Sequence, residues 1–291
     1  MLPPSVEETI EDIEADHTSG AAHIAAVGLK GLDALVKATD GRPSPDQLRE
    51  AAHRLSSAQR TNAALYNLSH LFVQFVGEGQ EPKAVLRQLR ADLEGAREKV
   101  AGNFLKVAPD RGSVVTLTFS DNVLACLLAA GRKGRLERVY VMESRPVSEG
   151  RFLVVALTEA GIPATLVPDV LGPGLMADAA YALVGADSVL RDGAIINKAG
   201  SYPLALACAD HGKPFFVAAE TLKFDARHDS SSWPGSPPMN PKEVWDRPPE
   251  KIDVMNRYFE VVPARLVTRV ATDRGAFTPE AIRSTLMQAK A

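Results

Sequence analysis

From Ser113 onward the chain follows a pattern that few folds accommodate. Val114-Val115-Thr116-Leu117, Val139-Tyr140-Val141-Met142, Thr165-Leu166-Val167, Leu183-Val184 and Phe215-Phe216-Val217 are short β-branched or aromatic runs separated by stretches with helical apolar spacing. Parallel neighbours need a crossover of a dozen or more residues between them, usually a helix, so this alternation predicts a parallel sheet with helices on its faces. Gly, Asp, Asn or Arg-Pro follows most of the runs. Polar loops are thereby expected along one edge of the sheet, where open α/β sheets hold their ligands.

The preceding residues carry a different period. Val6, Ile10 and Ile13 recur at helical spacing, as do Ile24, Val27, Leu32 and Leu35. Ser44-Pro45-Asp46-Gln47 has the form of a helix start, with Ser as cap, Pro at the first position and Gln closing a capping box. Leu65, Leu68, Leu71, Phe72 and Phe75 form another apolar face, and Leu86, Leu89, Leu93, Ala96, Val100 and Phe104 run down a long final helix. The expected fold class is therefore α/β: an all-helical domain over residues 1–108, then a Rossmann-like α/β domain over residues 109–291. Residues 229–249 are rich in Ser, Pro and Trp and read as an insertion: a lid, an oligomer contact or plain disorder. Phe259–Val270, apolar with few charges, is either an internal strand or part of an isologous dimer interface.

Chemistry-bearing residues concentrate in Leu183–Gly200. A strand ending at Val184 stops on Gly185, and Asp187 follows at its carboxyl end. Asp192-Gly193 supplies a second turn, and Asn197-Lys198-Ala199-Gly200 leads toward an apolar helix from about Pro203. One acid, one amide, one ammonium and a helix start suit a polar anionic small molecule. The spacing equally fits a surface turn with a solvated Asp and Lys. Arg145, after the second run, and Lys223, after the fifth, are expected at the same sheet edge as Asp187.

Several classes fall away. Thr118-Phe119-Ser120-Asp121-Asn122 stands where a dinucleotide fold would carry Gly-x-Gly-x-x-Gly. No paired His or Cys spacing marks a metal site, no nucleophile elbow or phosphate loop appears, and no cofactor is expected. A formal net charge of −3 argues against a general nucleic-acid or anionic-membrane surface. No apolar run approaches the roughly 20 residues of a membrane span. Met1-Leu2-Pro3-Pro4, followed by acids, lacks the regions of a signal peptide, so a cytoplasmic protein is expected. Cys126 and Cys208, the only cysteines, lie in apolar helical stretches and read as buried free thiols.

Gly185-Ala186-Asp187, Asp192-Gly193 and Asn197-Lys198-Ala199-Gly200 together resemble the motif of one superfamily. It holds the α/β/δ subunits of translation initiation factor 2B, ribose-1,5-bisphosphate isomerase and methylthioribose-1-phosphate isomerase. Glu143-Ser144-Arg145-Pro146 with Gly150, Asp169, Glu220-Thr221-Leu222-Lys223-Phe224, Phe259-Glu260-Val261-Val262-Pro263 and Thr272-Asp273-Arg274-Gly275 extend the resemblance. It implies a pocket between the two domains for a phosphorylated sugar or nucleotide. Asp187 would be the general acid/base of aldose–ketose interconversion, and Asn197 and Lys198 would hold hydroxyls and phosphate. Arg60, in Gln59-Arg60-Thr61-Asn62, resembles a phosphate-binding arginine of the helical domain. Two positions depart from the isomerases: Ser120 stands for their cysteine, and Ser19-Gly20-Ala21 for Arg-Gly-Ala. A serine has a far higher pKa than a thiol and needs a neighbouring base to act. The resemblance also implies a homodimer or higher homo-oligomer. It leaves two functions open: an isomerase with an imperfect catalytic set, or a non-catalytic regulatory or assembly subunit that senses a sugar phosphate or nucleotide.

Overall fold

The computed structural model describes residues 2–16 and 19–288. The chain forms two compact units: Met1–Ala96 with Leu222–Asp225, and Arg97–Thr221 with Ala226–Ala291.

The first unit is helical. Helices α1 (Pro4–Ala15), α2 (Ala21–Ala38), α3 (Pro45–Ala58), α4 (Ala63–Gly77) and the first turns of α5 (Pro82–Phe104) turn their apolar stripes toward one core. Val6, Ile10, Ile13, Leu32, Leu35, Leu55, Leu65, Leu68 and Phe72 are buried in it. The capping box forms as read: Ser44 Oγ accepts from Gln47 N, and Ser44 N donates to Gln47 Oε1. Asn62 caps α4 by accepting from Leu65 N at 3.0 Å. A Cβ at Gly28 would stand 2.4 Å from Leu65 Cδ1, so glycine lets α2 approach α4 closely. Asn67 Nδ2 donates to Leu222 O at 2.7 Å and Phe224 O at 2.8 Å. That amide ties a segment far along the chain to the helical unit.

The second unit is a sheet with flanking helices. In chain order it holds β1 (Gly112–Leu117), α6 (Asp121–Arg132), β2 (Leu136–Met142), α7 (Gly150–Glu159) and β3 (Ala164–Val167). Next come β4 (Tyr181–Val184), β5 (Ser188–Leu190), β6 (Ile195–Lys198), α8 (Ser201–Asp210) and β7 (Phe215–Ala218). Strands Phe259–Val262, Arg269–Thr272 and Gly275–Phe277 and the helix Pro279–Gln288 follow. The main sheet runs Gly275–Phe277, Arg269–Thr272, β7, β4, β1, β2, β3. All pairs are parallel except the antiparallel outer strand Gly275–Phe277. The fold is the expected Rossmann-like one, with more strands than the apolar runs disclosed.

The expected boundary after residue 108 follows the end of α5, whereas the compact units divide within that helix, after Ala96. The reason is packing: Val100, Ala101 and Phe104 are buried in the α/β core with Val114, Val123 and Leu127. The rings of Phe104, Tyr181 and Phe216 lie 5.7–5.9 Å apart there. Phe259–Val270 is used internally, its two ends lying in strands of different sheets.

Candidate functional site

The strand order creates the site's frame. From β1 the chain steps to β2 and β3 on one side, then returns to β4 on the other flank of β1. Loops leaving β1 and β4 therefore diverge at a topological switch point, where such sheets form a crevice. Ser120 follows β1, and Gly185-Ala186-Asp187 follows β4. A Cβ at Gly185 would lie 2.8 Å from Ser120 Oγ and 3.9 Å from Asn197 Oδ1. The absence of a side chain at Gly185 thus permits a close approach of the loop after β1 to the Leu183–Gly200 stretch. Ser120 is the cap of α6, its Oγ accepting from Val123 N at 3.5 Å. Asp187 is half-buried, and its N–H donates to Ile196 O at 2.8 Å, opening the hairpin formed by β5 and β6.

Where the sequence pattern predicts turns leading to a helix, the structure forms this hairpin, and Asn197 and Lys198 are strand residues. Gly193 closes its turn with φ +84° and N–H to Leu190 O at 2.9 Å. Strand β6 pairs antiparallel with Phe259–Val262, Asn197 opposite Glu260 and Lys198 opposite Phe259. Asn197 Nδ2 donates to Ser201 Oγ at 2.8 Å, and Ser201 Oγ donates to Lys198 O at 2.7 Å. Lys198 Nζ donates to Glu149 Oε1 at 2.6 Å, both side chains being only 8% exposed. The ammonium also stands 4.4 Å from the centre of the Tyr258 ring. Glu260 Oε1 accepts from Gly200 N at 2.7 Å and Tyr202 N at 2.8 Å. A carboxylate of the chain itself therefore satisfies the helix start that the sequence suggested for an anion. Lys198 is thus buried and paired, not a solvated surface lysine.

Two further loops are held at the same edge of the sheet. Asp169 accepts from Ser144 N at 2.7 Å and Arg145 N at 2.8 Å. Ser144 Oγ accepts from Thr118 N at 2.6 Å, linking the β2 loop to the β1 loop. Thr118, Ser144 and Ser148 have φ of 57°, 65° and 64°. Such left-handed backbone is costly for residues with a Cβ and tends to gather at functional loops. Gly150 is required at the start of α7, because a Cβ would stand 2.1 Å from Met142 O. Arg145 is exposed, and its guanidinium donates to Pro146 O at 3.3 Å. Glu143, two residues before it, stands 3.8 Å from Arg151.

Of the residues anticipated, Ser120, Arg145, Asp187, Asn197 and Lys198 belong to the second unit, whereas Arg60 and Lys223 belong to the first. Arg60 is exposed in the turn before α4, and Lys223 is buried in a short 3₁₀ turn, Thr221–Lys223. Glu149 was missed, as was the anchoring role of Asp169; both act through partners many residues away. The burial of Cys126 and Cys208 pushes both thiols up, Cys208 to about 12, so neither resembles a reactive thiolate. Among the described residues no group of three or more His, Cys, Asp or Glu could hold a metal ion, and no helix is long and apolar enough to cross a membrane.

The insertion begins as an ordered turn on the hairpin. Asp229 pairs with Arg191, and its Oδ1 accepts from Ser231 Oγ at 2.7 Å and Ser232 Oγ at 2.9 Å. Hydrogen bonds from Ser231, Arg191 and Ser232 hold its carboxyl well below the usual range. Ser230 donates to Asp192, and Trp233 packs on Leu190, Ala194 and Ile196. Residues 241–253 are exposed. Further on, Glu243 accepts from Tyr258 Oη at 2.5 Å, and burial, then that bond, pushes the Tyr258 hydroxyl up.

Helical unit, sheet order and the switch-point loops define a Rossmann-like α/β protein with an N-terminal helical unit. The chain belongs to the initiation factor 2 subunit family, whose description matches residues 17–279. It is 31% identical to ribose 1,5-bisphosphate isomerase of Archaeoglobus fulgidus over 94% of this chain and 90% of that protein. Methylthioribose-1-phosphate isomerase of Desulfitobacterium hafniense is 29% identical over 95% of this chain and 88% of its own. The crystal structure of Pyrococcus horikoshii translation initiation factor eIF-2B matches with a TM-score of 0.84 and 26% identity, covering 96% of this chain and 98% of that one.

Proposed function

We propose that the chain binds a phosphorylated sugar or nucleotide at the switch point between β1 and β4 and interconverts aldose and ketose forms of a sugar phosphate. Asp187 carries the proton, Ser120 stands in the place of the isomerases' thiol, and Asn197 and Lys198 hold the ligand. Arg145, on the loop after β2 of the same unit, is the further cation proposed for phosphate. One observation carries the reading: the Gly185 backbone, two residues before Asp187, presses against Ser120 with Asn197 beside it. General acid/base work needs a carboxylate beside the carbon or hydroxyl that exchanges the proton, and this crevice is where such a ligand would sit. The relatives named as isomerases of ribose 1,5-bisphosphate and methylthioribose 1-phosphate support that ligand class. A cytoplasmic homo-oligomer is part of the same proposal.

A second reading has its own support. Ser120 Oγ serves as a helix cap, and Glu149 and Glu260 already engage the ammonium and the helix start. In that reading the protein is a non-catalytic initiation-factor-2B-like subunit that senses the ligand and transmits it as protein association. Incubation with pentose and methylthiopentose phosphates, followed by melting curves and product analysis, separates the two. The isomerase reading expects a higher melting point together with turnover. Stabilisation without turnover across the panel favours the sensor, and neither effect removes both.

A further inference from the structure

Glu149 stands immediately before Gly150 at the start of α7, forty-nine residues from Lys198, and no local motif joins them. Its Oε1 takes the Lys198 ammonium; its Oε2 is buried and has no hydrogen-bond partner. A buried carboxylate oxygen without a donor is unfavourable, and the missing donor is what a ligand hydroxyl would provide. Beside Glu149, Lys198 Nζ faces the rings of Tyr258 and Phe259, at 4.4 and 5.5 Å. A phosphoryl group brought to Lys198 would meet the Glu149 carboxylate at close range, a like-charge contact in a place with little water to screen it. The start of α8, the other natural anion holder nearby, gives its Gly200 and Tyr202 N–H groups to Glu260.

We propose that Glu149 is a specificity-determining residue: it withholds Lys198 from anions and accepts a hydroxyl, so the ligand segment seated there is an uncharged polyol and the phosphoryl group lies elsewhere. This inference rests on the sugar-phosphate reading and narrows it. A ligand offering only phosphate is refused at Lys198; one offering a hydroxyl beside its phosphate is taken.

Titration calorimetry of the full chain with inorganic phosphate and with ribose 1,5-bisphosphate tests this in wild type, Glu149→Gln and Glu149→Asp. Glu149→Gln frees the ammonium, so phosphate affinity is expected to rise at least tenfold, and Glu149→Gln combined with Lys198→Met should abolish the rise. Glu149→Asp keeps the charge but withdraws the oxygen by one methylene. It should lose about tenfold in affinity for the bisphosphate and gain nothing for phosphate. Phosphate affinity unchanged in Glu149→Gln overturns the withholding role, and bisphosphate affinity unchanged in Glu149→Asp overturns the acceptor role. Should Glu149→Gln fail to fold, Glu149→Ala carries the phosphate arm, with the same tenfold rise expected and an unchanged affinity overturning the withholding role. A wild-type chain that binds no bisphosphate sinks the sugar-phosphate reading together with this one. Wild-type binding with both variants unaltered sinks only the part given to Glu149.

Discussion

Lys198→Met is expected to destabilise the protein by about 3–5 kcal/mol, the usual cost of removing one member of a buried ion pair. Glu149 would keep its charge with its cation gone, and its second oxygen already lacks a donor. A loss of that size is a large part of the roughly 5–15 kcal/mol by which domains are stable. Combining Lys198→Met with Glu149→Gln removes the uncompensated charge, so the double variant should recover most of the loss. Urea unfolding of the three proteins checks this through the midpoint at constant slope. A Lys198→Met midpoint equal to that of wild type would mean that the ammonium is solvated in solution, as the sequence alone allowed.

The largest expected effect on activity is at Asp187. Asp187→Asn preserves shape and most hydrogen bonds while deleting the proposed proton carrier. Turnover should drop by roughly 10²–10⁴-fold, the typical contribution of general acid/base catalysis, with ligand affinity largely kept. Ser120→Cys in the same assay should raise turnover, because a thiol is far more acidic than a hydroxyl. The substitution also weakens the α6 cap, Ser120 Oγ being the acceptor for Val123 N. A modest stability loss of about 0.5–2 kcal/mol should accompany the gain. If Asp187→Asn turns over as fast as wild type, Asp187 is not the proton carrier.

What the sequence revealed was governed by local pattern. The capping box at Ser44, the apolar stripes of the first four helices and strands β1 to β4 and β7 all declare themselves within a few residues. Strands β5 and β6 do not. Ser188–Leu190 is three residues long and Ile195–Lys198 is buried throughout, so neither shows an in–out alternation. They pair with each other, and β6 takes its second neighbour, Phe259–Val262, from far along the chain. The same distance hid the chemistry. The positions of Asp187, Asn197 and Lys198 could be read, but Glu149 against Lys198 and Glu260 on Gly200 and Tyr202 arise only when separate elements pack. A lysine in a polar stretch reads as solvated; here a carboxylate forty-nine residues away allows its burial. The division inside α5 was illegible for a related reason, since one continuous helical stripe supplies Leu89 to one core and Phe104 to another.

The central claim is that the loops at the β1/β4 switch point hold a phosphorylated sugar, and Asn197 probes it most directly. Its amide bonds Ser201 and its carbonyl oxygen lies close to Gly185. Titration of ribose 1,5-bisphosphate into wild type should give saturable binding. Asn197→Ala, verified as folded by its unfolding curve, should bind at least tenfold more weakly, in line with roughly 1.5–3 kcal/mol for hydrogen bonds to a charged group. Equal affinity in the two proteins, or no binding to wild type, would contradict the account.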